Sequence, residues 1–173
     1  MDYITKPISR KKLRSLARVF RSIFGVPQTG PFPVLNVLEE LKDKFPKASY
    51  IVVDNKDLPK QIEARCVLNK NGTYTIEIKK RVYDGAYEKG IGAYRGFILH
   101  EIMHVFMSEI GFKPIYNRSF KKAKPYEFIE WQVKAITGEV AIPYEESRGM
   151  SMQKIIAKYK VSRGFAETRI RNK

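Results

Sequence analysis

"FILHEIMHVF", residues 97–106, holds both histidines of the chain. Phe97, Ile98, Leu99, Ile102, Val105 and Phe106 make the stretch apolar nearly all round, which predicts a mostly buried helix. Residues i and i+4 of a helix stand one above the other on the same face. His100 and His104 are therefore expected to turn two ring nitrogens toward one point. Glu101 lies about 100° round the helix from His100. It is too far displaced to be a third donor, but it is placed to hold a water beside an ion. Two imidazoles for zinc and a carboxylate as general base are the physical content of H-E-x-x-H. The expected cofactor is one Zn²⁺ per chain, which lowers the pKa of water toward about 7 and polarises a carbonyl. The competing reading is a helix with incidental histidines. It leaves two imidazoles and a carboxylate on an apolar helix without partners, which is costly.

A third donor is expected from the next helical stretch, "KPYEFIEWQVKAITGEVAIP", residues 124–143. It offers Glu127, Glu130 and Glu139. Glu127 and Glu130 are one turn apart and could share a face, so spacing favours neither. Glu139 is near the helix end and is expected to face solvent. The helix itself is expected from Pro125, a proline suited to the first helical position, to about Val140, with Pro143 closing it.

Upstream, "SRKKLRSLARVFRSIFG" predicts a helix with Leu13, Leu16, Ala17, Phe20, Ile23 and Phe24 on one face and its arginines mostly on the other. Ser9 suits the N-cap and Gly25 the stop. "VLNVLEELKDKFP" repeats helical spacing through Val34, Val37, Leu38 and Leu41. "SYIVVD" reads as a buried strand. "QIEARCVL" and "TYTIEIKK" flank "NKNG" as a hairpin, with Tyr74, Ile76 and Ile78 inward and Thr75, Glu77 and Lys79 on a wet face. "VYDGAYEKGIG" reads as a glycine-containing loop. The tail predicts two short helices, one with Met152, Ile155, Ile156 and Tyr159 inward, the next with Phe165, Ala166 and Ile170, and Ser162 as the N-cap between them.

The whole is expected to be one α+β domain over residues 1–173. Residues 1–46 form N-terminal helices, 47–143 a sheet and metal-site core, and 147–173 a basic helix pair. At 173 residues the chain is long enough for a sizeable core. No apolar run is long enough for a bilayer, and the N-terminus lacks a signal-peptide pattern, so a cytoplasmic protein is expected. The single cysteine, Cys66, excludes an internal disulfide and a multi-cysteine zinc site, and reads as a small strand residue.

The net charge is +15 and is unevenly placed. Residues 1–38 carry seven Lys or Arg against Asp2; residues 147–173 carry eight against Glu167. Lys113, Arg118, Lys121, Lys122 and Lys124 cluster with no acid among them. Such blocks attract nucleic acid or an acidic partner, although charge alone reads no sequence; the plain alternative is a solvated basic surface.

Three ordered blocks resemble the ImmA/IrrE family of metallopeptidases. "VYDGAYEKGIGAYRGFILHEIMHVF" is similar to its block running through a glycine loop and an arginine into H-E-x-x-H. "EWQVKAITGEVAIP" is similar to its Glu-Trp-Gln block. "GMSMQKIIAKYKVSRGFAETRI" resembles its C-terminal helix pair. The resemblance implies a compact zincin-like fold: a small mixed or antiparallel sheet packed on the H-E-x-x-H helix, with a second, ligand-bearing helix beside it. It places the third ligand on Glu130. It implies a repressor-directed peptidase of phage or mobile-element type, whose substrate is a helix-turn-helix transcriptional repressor. Two positions depart from the pattern. Lys134 stands where many gluzincins carry an acid that orients a ligating histidine, and Met103 stands where a glycine is common. For the oxyanion, the candidate donors are Tyr83, Tyr116, Tyr144 and Arg95. The rival expectation is a regulatory protein that keeps zinc for structure and sequesters a repressor or binds DNA through the tail, whose helix–turn–helix spacing permits it. A second rival is an inactive relic of a mobile element.

Overall fold

The structure is a computed structural model, and it describes residues 2–116 and 123–172. Arg118, Lys121 and Lys122 of the central basic cluster lie outside the described residues. The described residues form an α+β fold of eight α-helices and a three-stranded mixed sheet.

Two N-terminal helices, α1 (Arg10–Ile23) and α2 (Val34–Lys44), precede the sheet. Ser9 caps α1 by accepting the Lys12 amide, and Gly25 ends it with φ of +63°, a conformation that costs glycine nothing. Arg21 departs from the expected polar face. It is 1% exposed, and donates to the carbonyls of Val140, Pro27 and Gly30. Burial pulls its pKa down to about 10. This arginine holds the α1–α2 connection against the end of a distant helix, and is not surface charge.

The strands are β1 (Ala48–Val53), β2 (Ala64–Leu68) and β3 (Tyr74–Lys79), in the order β1-β3-β2. β3 pairs parallel with β1 and antiparallel with β2. The hairpin at Asn69–Gly72 forms as expected, with Gly72 at φ +80°. β1 was expected to be buried and is not. It is an edge strand, with Ile51 46% and Val52 41% exposed. Lys79 departs in the other direction. It is buried, and its ammonium donates to the Pro59 and Lys60 carbonyls.

The segment expected as a loop after β3 is instead a helix, α3 (Lys80–Glu88). Its glycine has a packing reason. A Cβ at Gly85 would come within 2.6 Å of the Tyr94 ring, so glycine lets α3 lie against α4 (Gly92–Glu109). α4 is the central element. Ile98, Leu99, Ile102, Met103, Val105, Phe106 and Met107 are all buried, against β2 and β3 on one side and α2 and α5 on others. Met103 therefore belongs to the apolar core, where its bulk fills volume.

The helix expected from Pro125 begins later. Pro125–Glu127 is a single 3-10 turn, Phe128 is extended, and α5 runs Ile129–Ala141. The break arises because Phe128 forms a bridge with Ile4 of the N-terminal strap. Thr5 donates to the Glu127 carbonyl and Ile129 to that of Tyr3, at 2.8 and 2.9 Å. After α6 (Tyr144–Ser147) come α7 (Met152–Tyr159) and α8 (Arg163–Arg171), the expected tail pair, with Ser162 capping α8. The turn between them is docked on α4: a Cβ on Gly92 would lie 2.8 Å from the Val161 backbone, and Arg95 donates to the Lys160 carbonyl. Among the described residues no helix is long and apolar enough to cross a membrane.

Candidate metal centre

The polar strip of α4 and the first turn of α5 face each other. His104 Nε2 lies 3.0 Å from Glu130 Oε1 and His100 Nε2 lies 3.2 Å from Glu130 Oε2. The two ring nitrogens are 3.2 Å apart. A tetrahedral ion with bonds of about 2.0–2.1 Å separates its donors by about 3.3 Å, and these three distances, the two to Glu130 running to its two different oxygens, are of that size. These residues can hold a metal ion, and all three are partly buried.

The electrostatics agree with the geometry. Hydrogen bonds from His100 and His104 hold the Glu130 carboxyl well below the usual carboxylate range, against the opposing effect of burial. At His104 burial disfavours the imidazolium, yet the Glu130 bond and the charges of Glu101, Glu130 and Asp2 outweigh it and raise the pKa. The two shifts are one interaction seen from both partners, and it keeps the Glu130 carboxylate ionised beside the imidazoles.

Glu101 stands beside this triangle without joining it. Burial pushes its pKa up, opposed by the histidines and by a backbone hydrogen bond from Cys66 on β2. Cys66 is a strand residue, as expected. Burial and the nearby Glu101 charge push its thiol up to about 12, so it is a poor nucleophile at neutral pH.

The ambiguity among the three glutamates is resolved by the break at Phe128. Glu127 is buried, and its carboxylate accepts the Lys124 amide at 2.6 Å, closing the 3-10 turn. Glu139 does not face solvent. It is 3% exposed, paired with Arg169 at 2.8 Å and with Arg10 and Arg14 at 3.4 Å. Three arginines that sequence reading assigned to basic surface are thus committed to one interior carboxylate.

Asp2 is the site residue that the sequence did not signal. Its Oδ1 accepts the Glu130 amide at 3.1 Å, and its charge reaches His104. Its hydrogen bond goes to the Glu130 backbone and not to an imidazole, and position 134, one turn beyond Glu130, carries Lys134. The Glu-Trp-Gln triplet divides into three tasks. Glu130 joins the two histidines in the group that can hold a metal ion. Trp131 walls a cavity under Arg10, 5.4 Å from its guanidinium. Gln132, 1% exposed, donates to the Lys6 and Tyr126 carbonyls and ties the strap to the helix.

The oxyanion candidates separate clearly. Tyr83 stacks between Tyr50 and Tyr87 and donates to Glu39. Tyr144 packs against Arg14 at 3.5 Å. Arg95 is spent on the Gly90 and Lys160 carbonyls. Tyr116 is different: it is 79% exposed and meets the ring of Tyr3, the neighbour of Asp2, edge-on. No protein-family model matches this chain, and the curated proteins searched contain no match to it.

Proposed function

We propose that the protein is a zinc-dependent endopeptidase directed at a helix-turn-helix transcriptional repressor. The carrying observation is the convergence of His100, His104 and Glu130 with a second, non-ligating carboxylate, Glu101, beside them. Two imidazoles and one carboxylate with an open position are a donor set suited to catalytic zinc. When bound, zinc acts as a Lewis acid that acidifies water and polarises a carbonyl.

The chain's own groups account for the rest. Glu101 takes the proton of the attacking water as its oxygen bonds to the peptide carbonyl carbon. It returns that proton to the nitrogen as the C–N bond breaks. Among the described residues the outer edge of β2 is unpaired, and Cys66 of that strand contacts Glu101. Apart from the Cys66 amide, which bonds to Glu101, that edge offers an extended polypeptide a strand to pair with. The repressor as target is supported by the resemblance of the three sequence blocks to ImmA/IrrE metallopeptidases.

The test is co-expression of the chain with a helix-turn-helix repressor from its own genetic neighbourhood, followed by mass mapping of repressor fragments. Discrete fragments with wild type and none with Glu101→Gln are the expected result. Derepression by Glu101→Gln with the repressor intact would replace this reading with sequestration.

A further inference from the structure

A cavity of about 500 Å³ opens between α1, α4, α5 and α8, and His100 is part of its wall. This volume falls within the range of small-ligand sites. Its lining has two characters. Phe97, Trp131 and Phe165 form an aromatic floor, while Arg10, Lys134 and Arg169 supply cations. Among the described residues no carboxylate lines it. Glu139, which pairs with Arg10 and Arg169 of the lining, is buried and shared by three arginines, and Glu130 contacts His100 of the wall. Lys134 is exposed and has no ion pair among the described residues. Arg169 is 7% exposed, and its Nε is buried without a hydrogen-bond partner.

Two glycines in the wall point the same way. Gly138 lies inside α5 and Gly164 near the start of α8, and neither has a positive φ. A Cβ on Gly138 would meet nothing within 4 Å, and one on Gly164 only Ser162 Oγ at 3.9 Å. Glycine inside a helix costs about 0.5–1 kcal/mol relative to alanine. Neither backbone conformation nor packing requires it at Gly138. What it leaves is open space in the cavity wall.

We infer that this cavity binds a ligand with an aromatic body and an anionic head: a carboxylate, sulfonate or phosphate. The rings of Trp131 and Phe165 take the body, and Lys134 takes the head, since Arg10 and Arg169 already share Glu139 and a lysine without an ion pair at the rim favours an anion over an uncharged analogue. A free aromatic acid and an aromatic residue beside a carboxylate in a bound polypeptide share this chemistry. The inference stands independently of the peptidase reading, because it uses no step of the hydrolysis.

The test is a fluorescence titration of the zinc-loaded full chain with anilinonaphthalene sulfonate, beside its uncharged counterpart phenylnaphthylamine. Saturable binding at one site is expected, with the uncharged dye weaker by about tenfold or more. Gly138→Leu, which puts a branched side chain into the open space of the wall, should weaken binding of the anionic dye by about tenfold or more. Lys134→Glu, on an exposed position, should weaken it by about tenfold. Thermal unfolding of each variant runs alongside; if Gly138→Leu does not fold, Gly138→Ala should bind more weakly while melting higher. In competition, displacement by indole acetate assigns a free acid. Displacement only by an acetylated Phe-Glu amide assigns a polypeptide residue. Equal affinity for the two dyes, or anionic-dye binding that Gly138 and Lys134 variants leave unchanged, overturns the inference.

Discussion

The amide of Glu130 donates to Asp2 Oδ1 at 3.1 Å, so the proposed third ligand begins its helix against the second residue of the chain. The first amides of a helix lack intrahelical partners, and a carboxylate there also meets the positive end of the helix dipole. Partners of this kind typically change metal affinity by about 10–100-fold. Asp2 bonds the backbone of the ligand and not its carboxylate, so Asp2→Ala should weaken zinc by no more than about the lower end of that range, and Asp2→Asn, which keeps an acceptor, by less. Competition with a chromophoric chelator measures it. Wild-type affinity in Asp2→Ala would assign the positioning of Glu130 to the backbone bonds of residues 3–5 alone.

Glu127 and Glu130, equivalent by spacing, should separate by metal content. Glu130→Ala removes a corner of the donor triangle and should lose most of the zinc. Glu127→Ala should keep it, and instead lose about 1 kcal/mol or more of stability, because the Lys124 amide forfeits its acceptor. Metal analysis and urea unfolding on the two proteins give both readings. Zinc loss in Glu127→Ala with retention in Glu130→Ala would reverse the assignment.

The convergence of His100 and His104 on α4 was legible because helical periodicity alone brings i and i+4 together. The hairpin, both serine caps and the tail pair were legible for the same reason: each depends on residues close in sequence. The failures share a cause. Glu139 meets arginines from helices at both ends of the chain, and Arg21 meets carbonyls of α5 and of the loop beyond α1. Both were read as surface because charge is normally exposed. The late start of α5 depends on a bridge between Phe128 and Ile4, and Asp2 on the same strap. The helix α3 hid behind glycine, whose role is close packing on Tyr94 and not a turn. In each case a partner more than a hundred residues away, or a contact between faces, decided what local pattern could not.

Glu139 carries a stability prediction. Its side chain is 1% exposed, and Arg169 donates to both of its oxygens, at 3.2 and 2.8 Å. Removing one partner of a buried pair leaves the other charge uncompensated, typically at about 3–5 kcal/mol. Glu139→Ala should lose stability on that scale in urea unfolding. The double variant Glu139→Ala, Arg169→Met should recover part of it. A loss below about 1 kcal/mol, the value of an exposed pair, would mean the cluster is hydrated.

Glu146 gives a pH dependence. Burial works against its ionisation, but Lys158 at 2.6 Å, the Gly30 amide at 2.7 Å and the Tyr159 hydroxyl at 2.9 Å outweigh it. Its folded pKa thus lies below the usual 4.5. A depressed carboxyl contributes stability that is complete above its unfolded pKa and is lost as pH falls through the folded one. The stability difference between wild type and Glu146→Gln, both metal-free, should be constant above about pH 6 and shrink below about 4.5. A difference that grows on acidification would mean the folded pKa is raised.

Glu101 separates chemistry from metal binding. It lies outside the donor triangle, so Glu101→Gln should retain one equivalent of zinc. The amide is close in size to the carboxylate and relieves a buried charge, so thermal stability should be equal to wild type or higher. It cannot accept the proton of the attacking water. Loss of a general base costs about 10²–10⁴ in rate, enough to remove visible cleavage on the timescale of a co-expression experiment. The measurement pairs zinc content and melting temperature with fragment yield from the repressor. A variant that keeps metal and fold yet cuts at the wild-type rate would show that Glu101 is not the base, and would turn attention to Tyr116, the one oxyanion candidate left exposed beside the Asp2 strap.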